Sequence, residues 1–110
     1  MADISVALFI ESESHDVDQM NAAIGVHSEK SWRKGDLRGR TGKVYSTDSW
    51  LQASKCVVAD EIDEIDRAAR KTVLSVVSRL QGHEDRFREV AAWGKAGLRV
   101  SLCSRLLPPL

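Results

Sequence analysis

Residues 31–43, SWRKGDLRGRTGK, set five basic side chains (Arg33, Lys34, Arg38, Arg40, Lys43) against a single acid, Asp36, with Gly35, Gly39 and Gly42 between them. Guanidinium and ammonium groups on a glycine-rich loop suit recognition of phosphate or carboxylate. The stretch is not a nucleotide-binding P-loop, which needs a glycine five residues before its Gly-Lys pair and a Ser or Thr after it. Leu37 and Val44 occupy those positions. The chain after Lys43 also reads as strand, where a P-loop is followed by a helix. The loop therefore predicts either a solvated hairpin or a contact surface for RNA or another partner, with Trp32 as an edge-strand residue beside it.

Other reactive residue types are scattered. His15, His27 and His83 lie far apart, and HEDRF at 83–87 lacks the second histidine of a zinc-binding HExxH motif. Cys56 and Cys103 form no CxxC pair and stand at no recognisable spacing from a histidine, so they read as reduced, partly buried thiols. No metal, cofactor or catalytic constellation is expected, and the chain reads as a binding protein that performs no chemistry. Acids are the more organised set. Glu11, Glu13, Asp16 and Asp18 follow the first apolar run, and Asp60, Glu61, Asp63, Glu64 and Asp66 open a later helix.

Hydrophobic periodicity supplies the elements that carry these groups. Ile4, Val6, Leu8 and Ile10 alternate with Ser5, Ala7 and Phe9, a central strand. Ser14 or Asp16 caps a short helix bearing Val17, Met20 and Ile24, which Gly25 ends. Residues 26–33 read as an edge strand and 43–54 as a further strand. From 60 to 81, Ile62, Ile65, Ala69, Val73, Val76 and Leu80 form a helical stripe behind Asp60 as N-cap. A second helix spans 83–94, and LRVSLCSRL at 98–106 is a half-buried strand that the tail LPPL cannot prolong. Trp50 and Trp93 read as core.

This order predicts one α+β domain over residues 1–110, a ferredoxin-like split βαβ plan with a four-stranded antiparallel sheet and helices on one face. The first and third strands are expected side by side and parallel at its centre. Both helices would then start at one end of the sheet, gathering nine carboxylates there, while the basic loop projects from the other end.

Composition sets bounds on function. Sixteen basic residues balance sixteen acidic ones in 110 residues, whereas a nucleic-acid-coating protein carries a positive excess. The N-terminal apolar run is broken by Ser5 and ends in acids, which is neither a signal peptide nor a membrane span. A cytoplasmic protein without membrane contact is expected.

SWRKGD, the later GRTGK, and SWLQAS at 49–54 resemble the bacterial domain-of-unknown-function 4279 family. Its elements correspond to Gly25 at the end of the first helix, Arg33-Lys34-Gly35-Asp36, and Trp50 followed by Ser54. Val26-His27 stands where the family often has a proline. The resemblance implies a small bacterial protein like those encoded beside polymorphic toxins, in the setting of contact-dependent inhibition. The expected function is accordingly that of an immunity protein, forming a tight one-to-one complex with a cognate toxin such as a nuclease. Asp60, Glu61, Asp63, Glu64, Glu11, Glu13 and Asp16 are its expected partner-binding residues. The alternative is an RNA-contacting or regulatory module using Arg33, Lys34, Arg38, Arg40 and Lys43.

Overall fold

The structure, a computed structural model, describes residues 1–40 and 42–104. The elements are β1 (Ala2–Ser12), α1 (Val17–Ile24), β2 (Lys30–Trp32), β3 (Asp48–Val58), α2 (Ile62–Ser78), α3 (Glu84–Ala91) and β4 (Lys95–Ser104). The strands form one sheet in the order β2-β3-β1-β4, antiparallel at every pairing. The helices cover one face, giving the α+β, ferredoxin-like arrangement with α3 added before the last strand. The expectation about residues 105–110 lies outside the described residues.

One expectation about strand direction is overturned. β1 and β3 are adjacent but antiparallel, with Ala2 opposite Val58 and Ser12 opposite Asp48. The physical reason is the connectivity. A strand-helix-strand crossover returns β2 parallel to β1, and the reversal that follows turns β3 against both. The C-terminal ends of β1 and β3 therefore lie at opposite ends of the sheet, and so do the starts of α1 and α2.

The core follows from the alternation of β1. Ile4, Val6, Leu8 and Ile10 are buried beneath the helices, joined by Val17, Met20 and Ile24 of α1 and by Trp50 of β3. Trp50 is fully buried, tilts against Phe87 of α3 at 5.7 Å, and donates from Nε1 to the Val26 carbonyl at 3.1 Å. α1 begins as expected, with a capping box in which Asp16 accepts from Gln19 N–H and the Gln19 side chain accepts from Asp16 N–H, both at 2.8 Å. Gly25 closes it with a φ of 82°, a left-handed conformation that glycine adopts without a Cβ penalty.

α2 sits over β1 and β3, so the centre of its apolar stripe falls on Ala68, Thr72 and Val76. The flank bearing Ile62, Ala69 and Val73 overhangs β4, and Ile62, expected in the core, is 85% exposed. Glu61, not Asp60, is the N-cap residue, without a side-chain cap bond. Asp60 pairs instead with the Met1 amino group. β3 runs from 48 to 58 where 43–54 was expected, because residues 44 and 45 are drawn into a small ladder with the preceding loop. The second strand likewise shrinks to three residues. Cys103, expected to be partly buried, is exposed; Cys56 is half-buried, and both thiols are free.

Candidate interaction surfaces

The basic loop is built on its own motif. Asp36 N–H donates to the Arg33 carbonyl at 2.9 Å, closing a four-residue turn with Gly35 third at a φ of 95°. The Asp36 carboxylate accepts from Arg33 N–H at 2.9 Å. Tyr45 then pairs back on the turn, its N–H donating to Asp36 O at 2.8 Å and its carbonyl accepting from Gly35 N–H at 2.9 Å. Leu37 bridges to Val44, so the loop is a short hairpin branching from the sheet. Arg-Lys-Gly-Asp is thus turn chemistry: an acid to hold the first amide and a glycine for the positive φ.

Asp48 ties this hairpin to the domain. It is buried, and its two carboxylate oxygens accept from Lys34 N–H at 2.8 Å and Val17 N–H at 3.2 Å. A β-branched or aliphatic residue would suit the strand pattern at position 48. The buried acid there is the signal that sequence reading passed over.

The hairpin lies at the same end of the sheet as the C-terminus of β1, contrary to the expected separation of charge. Arg33 of the loop forms an ion pair with Asp18 of α1 at 2.9 Å. The Arg33 guanidinium is held above its ordinary pKa by the hydrogen bond and charge of Asp18, with smaller contributions from Asp48 and Asp16. Arg38 lies over the Tyr45 ring at 5.3 Å, and Tyr45 leans on Trp32 at 5.4 Å. Arg40 and Lys43 are exposed and, with Arg38, Gly39 and Tyr45, line a shallow basic concavity.

The expected partner-binding acids divide into two groups. Glu11, Glu13 and Asp16 stand at the hairpin end, where Asp16 is committed to capping α1 and Glu11 and Glu13 line a cleft with Trp93 and Lys95. Asp60, Glu61, Asp63 and Glu64 stand at the other end, roughly 34 Å away along an eleven-residue strand. The nine carboxylates do not gather, and the molecule is not polarised into an acidic and a basic pole. At the α2 end Glu64 pairs with Arg67 at 3.6 Å and Asp66 with Arg70 at 3.1 Å. Glu61 and Asp63 are exposed, on either side of Ile62.

Two further groupings were not foreseen. His15 stacks on Trp93 with centroids 4.1 Å apart, and its Nδ1 lies 2.9 Å from Ser14 Oγ. Stacking and the Ser14 hydroxyl together orient this imidazole. Arg79 spans from α2 to the sheet, reaching Glu29 Oε2 at 2.9 Å, Gln52 Oε1 at 3.0 Å and the Ala53 carbonyl at 2.9 Å. Among the described residues no three His, Cys, Asp or Glu side chains are placed to hold a metal ion. Among them, too, no helix is long and apolar enough to cross a membrane.

No curated protein and no solved structure matches the chain. A family model does, over residues 2–106. The chain belongs to the family described as domain of unknown function (DUF4279).

Proposed function

We propose that this protein works by binding, as an immunity protein that neutralises a basic cognate toxin, such as a nuclease, with one toxin held per chain. The observation that carries this reading is Ile62, a large aliphatic side chain left 85% exposed on the first turn of a rigid helix and flanked by Glu61, Asp63 and Glu64. Apolar anchors ringed by charge are the usual economy of a protein interface. The anchor supplies the burial, while the rim steers encounter and fixes orientation. A nuclease must hold phosphate, so its cleft is cationic, and carboxylates on a helix end are suited to occupy it.

The test is rescue of cells expressing the toxin that this reading expects in a neighbouring gene, with association kinetics measured on the purified pair. Charge reversal at Asp63 and Glu64 is expected to slow association and flatten its salt dependence, and Ile62→Ser to speed dissociation. Failure to rescue rejects the immunity reading. Rescue with kinetics indifferent to all three substitutions moves binding away from α2.

A second reading, an RNA contact, is favoured by the concavity that Arg38, Arg40 and Lys43 line together with Tyr45, Arg38 lying over its ring. Stacking on an aromatic ring with phosphate held by cations is how sequence-tolerant single-strand binding works. It predicts salt-steep RNA binding that is lost when Arg40 and Lys43 are neutralised.

A further inference from the structure

The two margins of the sheet are finished differently. Beyond the three residues of β2, the outer edge of β3 is met by side chains that stand in for a neighbouring strand. Ala53 N–H donates to Glu29 Oε2 at 2.9 Å, and the Ala53 carbonyl accepts from Arg79 Nη1 at 2.9 Å. The opposite margin is β4, ten residues long and paired with β1 on one side. Folded proteins blunt such edges with brevity, inward charges, proline or a bulge. Described β4 has none of these on its helix-side face, which reads Ala96, Leu98, Val100, Leu102. Because α2 lies over β1 and β3, the last three are 43%, 51% and 57% exposed.

We infer that β4 is the contact through which a second copy of this chain pairs, edge to edge and antiparallel about a two-fold axis at Val100. The commitment to a second copy comes from the strand's own symmetry. A two-fold interface must be self-complementary, and the helix-side residues Leu98, Val100 and Leu102 read the same in both directions. With Val100 opposite Val100 of the second copy, Leu98 meets Leu102 in both directions, aligning three apolar pairs on the helix side. On the other face Arg99 meets Ser101 and Gly97 meets Cys103. Shifting the axis to Arg99 would oppose two guanidinium groups, and shifting it to Ser101 would leave Leu98 facing Ser104. In the Val100 arrangement Arg99 leans inward over the Phe9 ring of its own chain at 5.2 Å, which draws its charge away from the axis. The product is a continuous eight-stranded antiparallel sheet. Val100 and Leu102 of this margin share a groove with Ile62 of α2, so the dimer adjoins the surface of the toxin reading, but its tests need no toxin.

Light scattering on the purified full chain is expected to give twice the chain mass at high concentration, falling towards one chain on dilution. Val100→Lys sets two ammonium groups face to face and should abolish the dimer, whereas Leu37→Lys, at an exposed position of the hairpin beyond the opposite margin of the sheet, should not. Val100→Cys in a Cys56→Ser/Cys103→Ser background should form an intermolecular disulfide on mild oxidation, since directly opposed antiparallel residues fall within disulfide reach. This variant decides the matter if Val100→Lys fails to fold. A monomer at every concentration overturns the proposal. So does a dimer that survives Val100→Lys, is lost with Leu37→Lys, or yields no cross-link at position 100.

Discussion

The carboxylate of Asp48 holds the backbone amide of Lys34 at 2.8 Å, so a buried acid at the start of β3 anchors the basic hairpin by its second residue. The other oxygen takes Val17 N–H at 3.2 Å, which fastens the first turn of α1 to the same strand. Asp48→Asn keeps the shape but turns an amide donor towards one of two N–H groups. A loss of about 1–3 kcal/mol is expected, the cost of a buried group left unsatisfied. Urea denaturation measures it, and tryptic cleavage after Arg38 or Arg40 should accelerate as the hairpin comes loose.

Glu29 gives the fold an acid-sensitive clamp. The Ala53 N–H bond pulls its pKa below the ordinary glutamate value, and Arg79 adds to this through hydrogen bond and charge, outweighing partial desolvation. The folded state thus takes up this proton at lower pH than the unfolded chain does. Its stabilising contribution is complete above the unfolded value of about 4.3 and is lost as pH falls through the folded one. Denaturant midpoints compared between about pH 6 and 3 should fall less steeply for Glu29→Gln than for the natural chain. Parallel curves would remove Glu29 from the acid response.

Gly94 is required for room. A Cβ placed there would lie 2.0 Å from the Glu11 carbonyl oxygen and 3.0 Å from Ser12 Cα, both backbone atoms that cannot swing aside. Gly94→Ala should cost about 1–3 kcal/mol or more, as overpacking does. Gly39 has open space around it despite its φ of 56°. Gly39→Ala should cost less, about 1 kcal/mol, from backbone conformation alone. Equal losses at the two sites would contradict this distinction.

The seating of α2 can be tested by two substitutions on one helix. Val76 is fully buried and Ile62 mostly exposed. Val76→Ala should lose about 2 kcal/mol or more, and Ile62→Ser should stay within about 0.5 kcal/mol of the natural chain. A large loss at Ile62 would mean that the helix is rotated about its axis.

Local order was legible in the residues because local rules govern it. The alternation of Ile4 to Ile10 specified a strand and its buried face, Asp16 and Gly25 marked the two ends of α1, and the stripe from Ile65 to Val76 marked α2. The core reading of Trp50 agrees with its full burial. What failed was whatever depends on which element lies beside which. The reversal between β2 and β3 set β3 against β1 and parted the two acidic groups. The width of a four-stranded sheet under one long helix left Ile62 and Leu98 to Leu102 outside the core.

From its sequence alone this chain determined its elements, their order and a glycine-rich hairpin loop ahead of the third strand, since each follows from side-chain period, capping and backbone freedom within a few residues. Only the tertiary structure decided where the charges stand and which apolar residues remain uncovered. Those depend on strand direction and helix seating, and residues far apart in the chain set both.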